Sequence, residues 1–419
     1  MKREISIPTE IQKRVIKRLL KGESFVFCSA TGTGKTLAYL LPLLEQLSRM
    51  VCPGVLPPPC GKESIGVEGE LSGSDGGNPA GDLPAGIRKG MPLLLIAAPT
   101  FELCSQIKSE VDFLLLEAQL PLRSALLIGS VSIGRQAETL KKVRPEIIVG
   151  NPGRILALAG SGKLKLRDIC FLVLDEADRL VQDELFAETK EMVSLLGLHS
   201  QHARNVPQVP FLRTACSATL PAKCLKKLLP LLELKAAAES VDEVFSDEVL
   251  KNKLEHWAFY SPEREKILLL RSLLAILNAK KSAKALIFTG RGGQVEHIAS
   301  RLKSCKLPAA GLWGGMDKTS RKRTLDAFRS GEIRFLVSSD LAARGLDIAG
   351  ISHVISLDLG EDRDVYLHRA GRTARAGKGG IMISIGTEEE MLRLSALEKK
   401  LGIAVYPKEL YGGKVLAIR

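Results

Sequence analysis

The stretch from Ser29 to Thr36 reads S-A-T-G-T-G-K-T and stands between a short apolar run, Ser24 to Cys28, and an amphipathic run from Leu37 to Leu47. That order predicts strand, tight loop, helix, the setting a phosphate-binding loop requires. Gly32 and Gly34 let the backbone curl so that its N–H groups point inward at an anion. The helix N-terminus adds the positive end of its dipole. Lys35 is placed to reach the terminal phosphates of a nucleotide, and the Thr36 hydroxyl to bind Mg2+. Ser29 occupies the place where the motif usually has its first glycine. A glycine-rich turn before a helix is the plain alternative for this stretch alone.

A chain of 419 residues with 45% hydrophobic content can bury two cores. Neither a signal peptide nor an apolar run near the ~20 residues of a membrane-spanning helix is seen, so a soluble protein is expected. The eight cysteines include no C-x-x-C pair and no Cys/His cluster. This argues against zinc and for free thiols in a reducing compartment. Residues 250–419 carry 30 Lys and Arg against 18 Asp and Glu, which is +12 of the chain's net +13. A polyanionic partner, nucleic acid first, suits such a half; a solvated basic surface is the bland alternative.

Ahead of the loop, Ile5 to Gln12 reads I-S-I-P-T-E-I-Q. Pro8 is expected in the first turn of a helix. The Gln12 amide offers a donor and an acceptor to an adenine edge, though alone it reads as a surface residue. Residues 52–90 are rich in Gly, Pro and Ser, with P-P-P at Pro57 to Pro59, and are expected to be a disordered insertion. Apolar strands then alternate with amphipathic helices: Leu93–Ala98, Leu122–Gly129, Ile147–Gly150, Phe171–Leu174 and Phe211–Cys216. A second series has strands near Ala285–Phe288, Phe335–Ser338, His353–Leu357 and Ile381–Ile385, with no phosphate loop of its own. Alternation of this kind means parallel sheets covered by helices on both faces. The expected fold class is therefore α/β with two tandem domains, 1–235 and 254–419, joined by a linker over 236–253. Each motif follows a strand, so the motifs gather along the carboxyl edge of the sheet.

Asp175 and Glu176, in D-E-A-D, follow such a strand. The first can hold Mg2+ opposite Thr36 and the second can deprotonate an attacking water. In the second domain, H-R-A-G-R-T-A-R at His368 to Arg375 sets Arg372 and Arg375 three apart, on one side of a helical turn. Arginines of this kind can cover a γ-phosphate at the transition state when two domains close. The alternatives are an acidic surface turn and a basic helix.

Taken in order, P-T-E-I-Q, A-T-G-T-G-K-T, P-T-F-E-L, N-P-G-R, D-E-A-D, S-A-T, S-D-L-A-A-R-G-L-D and H-R-A-G-R-T-A-R resemble the DEAD-box family of ATP-dependent RNA helicases. The resemblance covers nearly the whole chain outside the insertion. It implies two RecA-like domains that ATP and RNA together close, and RNA-stimulated ATP hydrolysis coupled to local unwinding of short duplexes or remodelling of ribonucleoprotein. It implies ATP and Mg2+ as cofactors, RNA as partner, a monomer, and protein partners for targeting. Gln12 with Thr9 would read adenine, and Ser29, Ala30, Thr31, Gly32, Thr33, Gly34, Lys35 and Thr36 would cradle the phosphates. Thr36 and Asp175 would serve the metal and Glu176 the attacking water. Ser217 and Thr219 would couple hydrolysis to closure. Asp347 would bind the ribose, Arg372 and Arg375 the γ-phosphate, and His368 with Arg369 would link the domains. Pro99, Thr100, Gly129, Gly153 and Arg154 would contact the RNA backbone, as would Thr289, Arg291 and Ser339 in the second domain.

This sequence departs from the family pattern at Phe101, where Arg is usual, Ser130, where Gly is usual, and Asn151, where Thr is usual. All three belong to the RNA track, which motivates a second expectation: an ATP-gated RNA clamp with little unwinding. A DNA helicase or translocase would lack this set of motifs. The aromatic residue that usually lies upstream and covers adenine is absent, and an incomplete N-terminus is expected. A chloroplast or mitochondrial location is the specific expectation, cytoplasm or nucleus the general one.

Overall fold

The computed structural model describes residues 7–29, 33–52, 89–166, 168–203, 211–235, 241–244, 254–280, 282–290, 292–343, 348, 350–360, 363–373 and 379–418. Most of the expected insertion, residues 53–88, lies outside them. The chain divides into two compact units, with the break between Val244 and Phe245.

The first unit runs α1 (Glu10–Leu20), β1 (Phe25–Ser29), α2 (Lys35–Val51), β2 (Leu94–Ala97), α3 (Phe101–Glu117), β3 (Ser124–Leu127), α4 (Ile133–Val143), β4 (Ile147–Gly150), α5 (Pro152–Gly160), β5 (Phe171–Asp175), α6 (Ala177–Leu180), α7 (Asp183–Ala203), β6 (Leu212–Ser217), α8 (Ala222–Leu231) and β7 (Val241–Val244). Its sheet has the order β3-β4-β2-β5-β6-β1-β7, and the pairings from β3 to β1 are all parallel. Near-continuous apolar strands fit a sheet buried on both faces. Phe25, Phe27, Ile96 and Val173 pack on one side with Tyr39 and Leu43 of α2. Val26, Leu95, Leu172 and Leu174 pack on the other with Leu158 and Met192.

The second unit runs β8 (Leu254–Tyr260), α9 (Lys266–Ala279), β9 (Ala285–Phe288), α10 (Gly292–Ser304), β10 (Ala309–Leu312), α11 (Lys318–Ser330), β11 (Phe335–Ser338), α12 (Asp340–Ala343), β12 (His353–Ser356), α13 (Arg363–Ala370), β13 (Gly380–Gly386), α14 (Glu388–Leu401), β14 (Val405–Tyr411) and β15 (Lys414–Ala417). The sheet order is β10-β11-β9-β12-β13-β8-β14-β15. It is parallel except for the closing β14–β15 hairpin. Among the described residues no helix is long and apolar enough to cross a membrane.

Two local expectations are revised and one element is new. Pro8 precedes the first helix rather than entering it: Thr9 is the N-cap, and its side chain accepts from the Gln12 N–H. Val241–Val244, inside the expected linker, forms the strand beside β1. The β14–β15 hairpin, unforeseen, is built around a Gly412-Gly413 turn with both glycines at positive φ, where that conformation costs a glycine nothing.

His353, at the start of β12, is buried, and its Nδ1 lies 2.8 Å from the Ser352 hydroxyl. That hydroxyl already gives its proton to the Lys284 carbonyl, so Nδ1 carries the hydrogen of a neutral ring. Burial, with the Lys280 charge as the lesser cause, pulls the imidazole down from 6.5 to about 4. The unfolded chain therefore binds the extra proton first as pH falls. Stability is full above about 6.5 and is lost toward about 4, by roughly 3 kcal/mol in all. In urea unfolding, His353→Gln should flatten the stability loss between pH 7 and pH 5 relative to the natural chain.

Candidate functional site

The carboxyl ends of β1, β5 and β6 bring the nucleotide candidates together. Ala30, Thr31 and Gly32 lie outside the described residues; the loop's two ends do not. Ser29 and Thr33 pair their hydroxyls at 2.8 Å. Gly34 enters α2 at φ +89, a region that favours glycine. Lys35 and Thr36 open the helix, where backbone N–H groups and the dipole favour an anion. Burial pulls the Lys35 ammonium below its ordinary range, against the opposing charges of Asp175 and Glu176.

Gln12 is buried against this loop. Its Oε1 accepts from the Thr9 N–H at 2.9 Å and its Nε2 donates to the Gly34 carbonyl at 3.3 Å. These two bonds fix the amide's orientation and leave one N–H and one oxygen lone pair for a base edge. A Cβ on Gly34 would lie 2.3 Å from Gln12 Nε2. Gly34→Ala is expected to cost about 1–3 kcal/mol of stability from the left-handed backbone, with weakened nucleotide affinity. Adding Gln12→Ala should relieve the contact with the new methyl but none of the backbone strain, and should lower nucleotide affinity further through the lost adenine contact, read by thermal melts beside nucleotide titrations.

Asp175 ends β5 and is 4% exposed. Its Oδ1 accepts the Glu176 N–H at 2.8 Å and the Cys216 thiol at 3.2 Å; its Oδ2 accepts the Tyr39 hydroxyl at 2.9 Å. Register explains the meeting, because Asp175 of β5 pairs directly with Cys216 of β6. Glu176 follows at φ +48, a conformation a non-glycine residue holds only under support from its surroundings. One step further, the Ser217 hydroxyl donates to Asp178 Oδ1 at 2.5 Å. Ser217 Oγ in turn accepts the Thr219 N–H at 3.4 Å. The S-A-T and D-E-A-D segments are thus tied together through Asp178.

Tyr39, Asp178 and Cys216 are functional neighbours that sequence reasoning missed. Tyr39 had a signal, since it lies one helical turn beyond Lys35 on the same face. For Mg2+ the donor set fits: a threonine hydroxyl and a carboxylate are hard oxygens, and this ion uses one or two carboxylates plus phosphates rather than an all-protein cage. Among the described residues no group of three or more His, Cys, Asp or Glu forms such a cage.

A second edge lies at the ends of β3, β4 and β2. Thr100 caps α3 by accepting from the Leu103 N–H at 3.2 Å, with Pro99 half-buried beside it. Asn151 donates from its side chain to the Ala98 carbonyl at 2.8 Å. Arg154 donates to the carbonyl of exposed Gly129 at 2.8 Å. Gly153 lies beside the carboxylate of exposed Glu188, which a Cβ there would meet at 2.7 Å. The N-termini of α3, α4 and α5 all open along this edge, so its positive character comes partly from backbone. Phe101 and Ile133, 44% and 42% exposed, face solvent at the starts of α3 and α4.

In the second unit, Arg369 is a buried hub. It forms a bidentate pair with Asp340 at 2.7 and 2.5 Å and also donates to the Ser356 hydroxyl and the Asp358 carbonyl. These bonds occupy the guanidinium inside its own unit. Arg372 is 5% exposed and its N–H donates to the Arg369 carbonyl; His368 is half-buried. Thr289 is one of the expected RNA contacts. It is fully buried, and its hydroxyl bonds inward to Gln294 and Asp358, where it shapes the turn after β9. Ser339 is half-buried and accepts from the Ala342 N–H at 3.4 Å. Arg291, Asp347 and Arg375 lie outside the described residues.

Residues 9–228 match the DEAD/DEAH box helicase family, and residues 265–377 match the helicase conserved C-terminal domain. The chain is 33% identical to the DEAD-box ATP-dependent RNA helicase CshC of Bacillus cereus, over 97% of this chain and 88% of that protein. It is 33% identical to the ATP-dependent RNA helicase dbp8 of Schizosaccharomyces pombe, over 94% of this chain and 77% of that one. Among solved structures, Mss116 bound to single-stranded RNA and UDP-BeF shares the fold at TM-score 0.77 and 23% identity, over 98% of this chain and 76% of that one. S. cerevisiae Dbp5 bound to RNA and ADP BeF3 does so at 0.70 and 23%, over 96% and 91%.

Proposed function

Because the chain belongs to the DEAD/DEAH box helicase family, we propose that it is an ATP-dependent RNA helicase whose RNA-stimulated ATP hydrolysis drives local unwinding or ribonucleoprotein remodelling. The observation that carries this is the ordered set at the carboxyl edge of the first sheet: Lys35, Asp175 and Glu176 at the loop and acidic motif, with Ser217 bonded to Asp178. Relatives that align over nearly the whole chain are RNA helicases.

In this reading Lys35 and the loop amides hold the phosphates of ATP, and Gln12 offers its remaining N–H and lone pair to adenine. Thr36 and Asp175 would hold Mg2+, which when bound neutralises developing charge on the phosphate oxygens. Glu176 orients the attacking water and takes its proton. Arg372 and Arg375 supply positive charge to the γ-phosphate and Asp347 holds the ribose. The Ser217–Asp178 bond makes the S-A-T segment respond to changes at the acidic motif. RNA runs along Pro99, Thr100, Gly129, Gly153 and Arg154 through backbone contacts that do not read sequence. The protein acts as a monomer in a reducing compartment, with protein partners directing it to its RNA.

Steady-state ATP hydrolysis with and without single-stranded RNA tests the reading; turnover that RNA does not stimulate contradicts it. Phe101 favours a second reading, an ATP-gated RNA clamp, because it puts an aromatic ring where a cation would grip phosphate. Efficient ATP-dependent displacement of a short duplex would rule the clamp out.

A further inference from the structure

We propose that Tyr39 is a positioning residue of the ATPase centre, its hydroxyl holding the Asp175 carboxylate assigned to Mg2+ in place before the ion binds. The inference rests on the assignment of Thr36 and Asp175 in the proposed function.

Tyr39 sits in α2 one turn beyond Lys35, with its ring fully buried in the apolar cluster that holds Phe25 and Phe27. Phenylalanine would fill that space equally well. The hydroxyl is nonetheless aimed at Asp175 Oδ2, 2.9 Å away. A buried tyrosine oxygen needs a partner, and this one donates to the Asp175 carboxylate.

At Asp175, Oδ1 already accepts two donors, the Glu176 N–H and the Cys216 thiol, whereas Oδ2 accepts only Tyr39. The open acceptor site of the carboxylate is thus on the oxygen that Tyr39 holds. Without the tyrosine oxygen, Asp175 Oδ2 loses its donor and the carboxylate is free to turn from the phosphate loop. Cys216 has a parallel but weaker part, steadying Oδ1.

The test is Tyr39→Phe, read by titrating Mg2+ into the protein with a fluorescent non-hydrolysable ATP analogue and by Mg2+-dependent turnover. Removing an outer partner of a metal ligand commonly costs ten- to a hundredfold in metal affinity. The half-saturating Mg2+ concentration should rise about tenfold, while analogue affinity in EDTA is unchanged and kcat at saturating Mg2+ stays within about twofold. An unchanged Mg2+ requirement overturns the proposal. So does an equal loss of analogue affinity with and without Mg2+, which would make Tyr39 a packing residue only. Should Tyr39→Phe fail to fold, Cys216→Ala decides by the same titration: a rise of about threefold supports the proposal and no change overturns it. A natural protein that binds the analogue without regard to Mg2+ would sink the assignment of Thr36 and Asp175 as well; Mg2+-dependent binding matched by Tyr39→Phe sinks this inference alone.

Discussion

Glu176→Gln is expected to lower kcat about 10³-fold, within the range for a lost general base, while ATP affinity stays within a few fold. Glutamine keeps the size of the side chain and its capacity for hydrogen bonds, but it cannot take a proton from water. The substitution also spares the rest of the centre. Asp175 Oδ1 is held by the backbone N–H of residue 176, not by its side chain, so the carboxylate keeps its place. The left-handed backbone at this position, φ +48, costs glutamine about what it costs glutamate. Steady-state turnover with RNA, beside titration of a fluorescent nucleotide, separates the two effects. Unchanged turnover would remove Glu176 from the chemistry; a parallel collapse of nucleotide affinity would make it a binding residue.

Lys35→Met is expected to abolish RNA-stimulated turnover and weaken ATP binding, yet to raise the melting temperature of the nucleotide-free protein. The loss follows from charge: removing one preorganised donor from a transition state costs about 10²–10³ in rate, and here the donor also carries the cation. The gain in stability follows from burial. A lysine held below its ordinary range by its surroundings destabilises the folded state at neutral pH, because the charged form is favoured when the chain unfolds. Methionine keeps the aliphatic stem and drops the charge. Residues kept at such a cost are a mark of function. Melting curves with and without ATP check both halves: nucleotide should raise the melting temperature of the natural chain and leave the variant unmoved. A lower melting temperature for the nucleotide-free variant would mean that Asp175 and Glu176 outweigh burial and that Lys35 serves stability too.

Much of this was legible in the linear chain. Strand, loop and helix around S-A-T-G-T-G-K-T could be read because apolar runs of the right length flank residues that regular structure rejects. The parallel sheets could be read because strands buried on both faces need unbroken apolar runs, as at Leu94–Ala97 and Phe171–Leu174. Spacing and motif order were enough to place the acidic pair and the phosphate loop at one sheet edge.

What the chain by itself could not carry was which side chains meet. Val241–Val244 has little strand character, and it is a strand because the free side of β1 supplies hydrogen-bond partners. Thr289 follows β9 with its hydroxyl turned inward to Asp358, a partner 69 residues away. Asp178 found Ser217, and Tyr39 and Cys216 found Asp175, across sequence separations of 39, 136 and 41 residues. Local pattern determines the elements because it acts over a few residues. Partnerships like these depend on sheet order and register, which are settled only when the whole unit has buried its core.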